Sequence, residues 1–326
     1  MIISRTPLRV SLFGGGSDLP CYYRLHGGAV LSTAIDHSVY VTVSRKFDNA
    51  VRVSYSRTEE VDQASQVEHP LVREALALVG VDGGIEITSV ADIPAKGTGL
   101  GSSSSFTVGL LNALHAYCGR HATAARLAEE SCHIEIERCA EPIGRQDQYA
   151  AAYGGFNFIR FNADDSVDIK RVICPPDVLA DLQARLLFFY TGITRSASAL
   201  LQRQSEVLAA PGEKSDAMGQ MVRFAEAAFE NLCAGNPNLL GEMLHEAWQI
   251  KRSLTSDITN GLIDEAYQAA TAAGAEGGKL LGAGGGGFLM FIAPPERHKS
   301  IRTALHPLRE VPFRFAAAGS SIIFVH

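Results

Sequence analysis

The sequence predicts an α+β fold. Its first third is dense in Val, Ile, Tyr and Thr, in runs broken by Gly or Asn-Ala, and reads as strands. Helical periodicity takes over after residue 105, and strands and helices never alternate in the regular order of a doubly wound sheet. A chain of 326 residues, 46% hydrophobic and 20% charged, fits two domains or one large unit with a substantial core.

In chain order, strands are expected over Ile2–Phe13, Ala29–Arg45 and Val51–Ser56, a short helix over Pro70–Val79, and a further strand over Ile85–Val90. A helix starts after the serine cluster 102–105 and reaches about Cys118; another spans Thr123–Arg138. Strand patterning returns at Gly155–Phe161 and Arg185–Tyr190. The stretch between them, with Asp164-Asp165 and Pro175-Pro176, is the expected domain junction, which divides the chain into 1–172 and 173–326. Met218, Met221, Val222, Ala225, Ala228, Phe229 and Leu232 share one helical face and read as core. The chain closes with a strand over Gly287–Ile292, a helix from about Pro295 to Leu305, and a strand ending at Val325.

Composition excludes several functions. The net charge is −6 and no block of Lys or Arg stands out, so the electrostatic footprint of a nucleic-acid-binding protein is missing. No apolar run approaches the roughly 20 residues that span a bilayer, and no secretory leader opens the chain. The six cysteines form no CxxC and read as reduced core filler in a cytoplasmic protein.

Three glycine-rich segments carry the chemistry. The middle one, Pro94-Ala95-Lys96-Gly97-Thr98-Gly99-Leu100-Gly101-Ser102-Ser103-Ser104-Ser105, follows a strand and opens a helix. Free N–H donors and the positive end of the helix dipole then meet where a phosphate would sit. Read alone, such a cluster is equally a loop with serine caps. A Walker loop is excluded, because Gly278-Lys279 is followed by Leu280. The stretch Gly282-Ala283-Gly284-Gly285-Gly286-Gly287 matches a dinucleotide fingerprint, but the residues after it, Phe288–Ile292, are strand-like. A hairpin-like crossing that lets backbone approach a ligand is expected there instead.

With Pro7–Asp18 as the first motif, Pro94–Ser105 as the second and Lys279–Gly287 as the third, the chain resembles the GHMP small-molecule kinases, which include galactokinase, homoserine kinase and mevalonate kinase. Thr6–Pro20 and Gly192-Ile193-Thr194-Arg195 resemble the D-glycero-D-manno-heptose 7-phosphate kinases of that group. The resemblance implies a ribosomal-S5-like N-terminal domain, a ferredoxin-like C-terminal domain, and ATP and substrate meeting between them. It implies ATP with Mg²⁺ as cofactors and a sugar phosphate as substrate, in a monomer or homodimer with no nucleic-acid or membrane partner. The reaction would be phosphorylation of the anomeric hydroxyl, for nucleotide-heptose and surface polysaccharide synthesis. Another sugar of the fucose, galactose or mannose type, or a non-catalytic sugar or nucleotide sensor on the same fold, are the alternatives.

Residue by residue, the resemblance implies that Lys96, Gly97, Gly99, Leu100, Gly101, Ser102, Ser103 and Ser104 bind the ATP phosphates, and that Ser103 and Glu135 hold the metal. Asp147 would be the catalytic aspartate, with Arg9 beside it. Gly14, Gly15, Gly16, Ser17, Asp18, Arg145, Arg195, Gly284 and Gly285 would form the substrate side. Each role has a plain competitor in the residues themselves. Glu135 is also placed to pair with Arg138 on a solvated helix face, with Glu137 as a second metal candidate. Asp147 could cap the helix that follows Pro142. Arg145 and Arg195 could form ordinary ion pairs, His133 could be a helix-face histidine, and the three glycines could serve a turn alone.

Overall fold

The computed structural model describes residues 1–94, 97–194, 197–210 and 212–326. Its first part runs β1 (Ile2–Phe13), α1 (Pro20–His26), β2 (Gly28–Arg45), β3 (Val51–Ser54), β4 (Thr58–Val61), α2 (Pro70–Val79), β5 (Ile85–Ala91), α3 (Ser102–Tyr117) and α4 (Ala124–Cys132). A π-helical turn, His133–Arg138, continues α4; α5 (Gln146–Tyr153), β6 (Phe156–Phe161) and β7 (Val167–Arg171) follow. The rest runs α6 (Pro176–Ala184), β8 (Leu186–Tyr190), α7 (Ala197–Leu208), α8 (Glu213–Cys233), α9 (Leu240–Leu254), α10 (Gly261–Ala272), β9 (Gly277–Leu280), β10 (Phe288–Ile292), α11 (His298–Ala304), β11 (Arg309–Glu310) and β12 (Ser321–Val325).

Eight strands form the larger sheet, in the order β12-β1-β2-β5-β3-β4, with β6 also on β2 and β7 on β6. The 18-residue β2 pairs with β5 through Val39–Arg45 and with β6 through Gly28–Thr33. Helices α3, α5, α8 and α9 all pack on β1. That double cover explains why Thr6 to Phe13 are buried without the alternation of a strand that has one wet face. The start of α3 is tied to β1 through Ser105 Oγ, which donates to the Pro7 carbonyl at 2.8 Å, and through the Arg9 N–H, which donates to the Leu100 carbonyl at 3.1 Å.

The smaller sheet has the order β11-β8-β10-β9, all antiparallel. Trp248 of α9, Tyr267 of α10 and Phe291 of β10 pack ring against ring behind it. Lys279 of β9 joins the two sheets: its buried Nζ donates to the carbonyls of Ser11 and Leu12 on β1, at 2.9 and 3.0 Å. The chain passes to the smaller sheet between Arg171 and Leu186, and β12 returns to the larger one beside β1. Among the described residues no helix is long and apolar enough to cross a membrane.

Three elements depart from expectation. Residues 167–171 are a strand, β7, in a hairpin with β6, turned by Asn162–Ser166. The segment expected as one helix over Thr123–Arg138 is α-helical only to Cys132; beyond that the Cys139 N–H bonds to the Ile134 carbonyl, a five-residue step. Of the cysteines, all free, Cys132 is buried, Cys21, Cys139 and Cys174 pack partly buried against the core, and Cys233 is exposed, so core filling does not describe all six.

Candidate active site

The sheets, the start of α3 and the helices α5, α7 and α9 enclose a cleft of about 630 Å³. Its described lining carries three basic side chains, Arg9, Lys251 and Lys279, and four acidic ones, Asp18, Glu135, Glu141 and Asp147. Such a balance suits a ligand that brings both hydroxyls and phosphates.

Gly97 through Ser104 line one wall. Gly101 caps α3 with φ 73°, and Gly99 has φ 78°, in the left-handed region that favours glycine. A Cβ on Gly99 would lie 2.3 Å from the Leu281 carbonyl oxygen, so the second and third glycine-rich motifs interlock as bare backbone. The first-turn N–H groups of α3, which have no partner within a helix, open at this wall. Lys96 lies outside the described residues.

Arg9 and Asp147 meet at the base of this loop. Arg9 Nε donates to Asp147 Oδ1 at 2.7 Å and Nη2 to Oδ2 at 2.8 Å, while Nη1 donates to the Gly99 carbonyl at 2.6 Å. A register shift of β1 against β2 between Pro7 and Arg9 accompanies this placement. Asp147 stands in the first turn of α5, whose N-cap position is Arg145. Both its oxygens are held by Arg9, so it is no helix cap. Its side chain keeps 25% exposure, against 5% for Arg9, which leaves the carboxylate accessible from the cleft.

Glu135 sits in the π-helical turn, 1% exposed, and faces the start of α3. Ser104 Oγ donates to its Oε2 at 2.8 Å, Thr107 Oγ1 to its Oε1 at 2.9 Å, Gln148 Nε2 also donates to Oε2, and Ser103 Oγ lies 3.4 Å from Oε1. Burial pushes this carboxyl up to about 7 despite those donors. It does not pair with Arg138, which reaches Glu74 and His133 instead. Glu137, the second metal candidate, is 69% exposed, pairs with His133 at 2.7 Å and does not line the cleft. A buried carboxylate beside the hydroxyl of Ser103 is a hard-oxygen donor set of the kind Mg²⁺ takes when it also binds substrate phosphates.

The first motif divides. Gly15, Gly16 and Asp18 line the cleft; Gly14 and Ser17 do not. A Cβ on Gly14 would be 1.9 Å from the Ala29 carbonyl oxygen, and Ser17 Oγ donates to that carbonyl and accepts from the Ala29 N–H. These two therefore close the turn against β2. The Asp18 carboxylate accepts from the Gly16 and Gln146 N–H groups and from Gln146 Nε2. Burial first, and Asp147 second, raise its pKa.

Arg145, Gly284 and Gly285 are not brought to the cleft. Arg145 lies over the rings of Tyr23 and Tyr149 and donates to the Asp165 carbonyl at 2.6 Å. Gly284 and Gly285 pack against Ile258, and of that loop only Gly282 and Ala283 line the cleft. Arg195 lies outside the described residues; Thr194 before it does reach the wall.

The residues missed by sequence are Lys251, Glu141 and Gln204; Lys279 opens the third motif but had no role assigned to it. Glu141 accepts from Ser198 Oγ at 2.7 Å, across to α7. Ser11 Oγ, Gln146 Oε1 and Gln204 Nε2 are buried at the cleft wall with no partner among the described residues. Lys251 stands on the apolar stripe of α9 with Leu244, Ala247, Trp248 and Leu254; a lysine in that register is the signal that would have found it.

The GHMP kinases N terminal domain model matches residues 53–155, and the GHMP kinases C terminal model matches residues 228–307. A D-glycero-alpha-D-manno-heptose 7-phosphate kinase of Campylobacter jejuni is 28% identical over 93% of each chain. An L-fucokinase/L-fucose-1-P guanylyltransferase of Bacteroides fragilis is 27% identical over 94% of this chain and 36% of its own. The crystal structure of a D-glycero-D-manno-heptose 1-phosphate kinase from Bacteroides thetaiotaomicron shares the fold over 100% of both chains, with a TM-score of 0.82 at 24% identity. The two domain models cover more than half of the sequence in their proper order, around a glycine-rich loop, a buried carboxylate and an arginine-held aspartate, and the chain belongs to the GHMP kinases, phosphotransferases with an alcohol group as acceptor.

Proposed function

We propose that the chain is a sugar kinase that uses ATP and Mg²⁺ to phosphorylate the anomeric hydroxyl of D-glycero-D-manno-heptose 7-phosphate, giving the 1,7-bisphosphate. The observation that carries the reading is Asp147, held by Arg9 with one edge open to the cleft, directly under the glycine-rich loop. Phosphoryl transfer has a loose transition state, so positioning and charge balance dominate. The backbone of Gly97 to Ser104 would cradle the nucleotide phosphates. Asp147 would accept the proton of the acceptor hydroxyl or orient it, and an anomeric hydroxyl, the most acidic of a sugar, suits a carboxylate base. Ser103 and Glu135 would hold Mg²⁺, which when bound supplies charge neutralisation at the phosphate oxygens.

On the acceptor side, Ser11 Oγ, Gln146 Oε1 and Gln204 Nε2 offer hydrogen bonds for hydroxyl groups. Gly15 lines the cleft and adds no charge there; a Cβ on it would come within 3.3 Å of Ser11 Oγ and 3.6 Å of Gln146. Galactokinase-like proteins carry an acid in this motif, which a substrate bearing a second phosphate would not tolerate. The heptose 7-phosphate kinase of C. jejuni, related over nearly the full length, supports the same sugar; the B. fragilis fucokinase, at similar identity, supports a hexose instead.

Profiling of the purified protein with ATP against heptose 7-phosphate, unphosphorylated heptose, mannose, fucose and galactose decides between them. The proposal expects kcat/KM for heptose 7-phosphate to exceed the others by about 100-fold or more, equal to about 3 kcal/mol of transition-state discrimination. A preference for an unphosphorylated sugar would overturn the heptose phosphate, and no turnover with any sugar would overturn the enzyme assignment to sugars.

A further inference from the structure

We propose that Lys251 is a catalytic residue of the phosphoryl transfer, its ammonium taking a non-bridging oxygen of the group that passes from the nucleotide to the acceptor hydroxyl. This rests on the cleft being a kinase site, not on which sugar enters it.

Lys251 comes from α9, on the side of the molecule that carries the smaller sheet, and is buried at 4% exposure while lining the cleft. Among the described residues its Nζ makes one hydrogen bond, to the neutral carbonyl of Gly282 at 2.9 Å, and no ion pair. An ammonium has three donors, so two remain for a ligand. A buried cation without a counterion is costly unless something charged arrives to meet it. Lys279, also buried, is different: its two bonds to β1 carbonyls make it a tether between sheets.

The position of Lys251 is also informative. A Cβ on Gly282 would lie 2.4 Å from the Gly99 Cα, so the carbonyl that Lys251 holds belongs to the residue stacked on the phosphate loop. Gly99 in turn accepts from Arg9, which grips Asp147. Lys251 therefore reaches the place where a terminal phosphate between the loop and Asp147 would lie. Burial lowers its pKa to about 8, opposed by the nearby carboxylates of Asp18 and Asp147. In the transfer, the bond between the γ-phosphorus and the bridging oxygen of the nucleotide breaks, with its electron pair leaving on ADP. The acceptor oxygen forms the new bond, and its proton passes to Asp147. Lys251 keeps its own proton throughout and stabilises the charge spread over the equatorial oxygens.

Lys251→Gln retains a donor for the Gly282 carbonyl while deleting the charge; Lys251→Arg retains the charge. With whichever sugar turns over best, Lys251→Gln should lower kcat by about 10²–10³-fold and leave the sugar KM within about 3-fold. Its dissociation constant for ADP should hold, while that for a non-hydrolysable ATP analogue, which carries the terminal phosphate, should rise. Lys251→Arg should recover part of kcat and of analogue binding. The proposal is overturned if Lys251→Gln keeps kcat within about 5-fold of the parent, or if ADP and the analogue weaken equally, which would make Lys251 a loop tether. Should no sugar prove to be a substrate, the ratio of analogue to ADP affinity in the two variants still decides the role of Lys251.

Discussion

Arg9 holds both carboxylate oxygens of Asp147 and, with its remaining nitrogen, the backbone of Gly99, so one side chain fixes the aspartate relative to the glycine-rich loop. Bidentate pairing of this kind sets direction as well as charge. It leaves the aspartate rigid, with its accessible edge toward the cleft.

Asp147→Asn keeps the size of the side chain and one oxygen for Arg9 while removing the carboxylate. We expect kcat to fall by about 10²–10⁴-fold, the contribution typical of a positioned base, with nucleotide affinity nearly unchanged. Steady-state kinetics together with a nucleotide titration read both quantities. Retention of most of the kcat would reduce Asp147 to an orienting group.

Glu135 makes stability depend on pH. Its folded pKa of about 7 lies above the ordinary carboxylate value of 4.5, so the folded state holds a proton that the unfolded state releases. Its contribution is therefore fully present below about pH 4.5 and is lost as pH rises through 7, by about 3 kcal/mol at most. Urea melts of the parent and of Glu135→Gln should diverge in that direction between pH 5 and 8, the variant lacking the slope. Added Mg²⁺ should stabilise the parent more at pH 8 than at pH 6, since the metal takes the ionised form. Parallel stability curves for the two proteins would contradict this placement of the proton.

The two serines at Glu135 should separate. Ser104 is buried with its hydroxyl already committed to Glu135 at 2.8 Å, whereas Ser103 is exposed and only 3.4 Å from the same carboxylate. Ser103→Ala is expected to raise the Mg²⁺ concentration for half-maximal rate several-fold. Ser104→Ala should chiefly cost stability, about 1 kcal/mol for the lost hydrogen bond. A Mg²⁺ titration that moves with Ser104 and not with Ser103 would exchange their roles.

Gly15 and Gly16 should answer differently to substitution. Gly16 has φ 107° and a Cβ there would fall 2.4 Å from Gln204 Nε2, so Gly16→Ala is expected to destabilise the turn. Gly15 has no such constraint. Gly15→Glu should leave the melting temperature within a few degrees and depress kcat/KM for heptose 7-phosphate by about 10-fold more than for unphosphorylated heptose. Equal losses on both sugars would assign the glycine to the turn and the phosphate to another part of the cleft.

The α+β class and most element positions were legible because β-branched runs and Pro or Gly punctuation state them directly: Pro70–Val79 begins at a proline and ends before Gly80 in the left-handed region. The strand β7 was not, since Val167–Arg171 carries one acidic and two basic residues in five and owes its order to pairing with β6. At the site, Arg9, Asp147, Glu135, Gly97 to Ser104, Gly15, Gly16 and Asp18 all line one cleft. Arg145, expected on the substrate side, is held away from the cleft by two tyrosine rings and a carbonyl, contacts that no spacing in the sequence states. Gly284 and Gly285 were misread because a glycine may serve a ligand or, as here, a close backbone contact. Lys251 lay in no motif and was visible only as a cation on a buried stripe.

On the proposed reading, this cleft transfers the terminal phosphate of ATP to the anomeric oxygen of heptose 7-phosphate. Phosphorus NMR of the purified protein with MgATP and that sugar tests it most directly. A second phosphomonoester resonance coupled to the anomeric proton should appear with ADP in equal amount, and about 10²–10⁴-fold more slowly with Asp147→Asn. A product phosphorylated at another carbon, or no new sugar phosphomonoester at all, would contradict it.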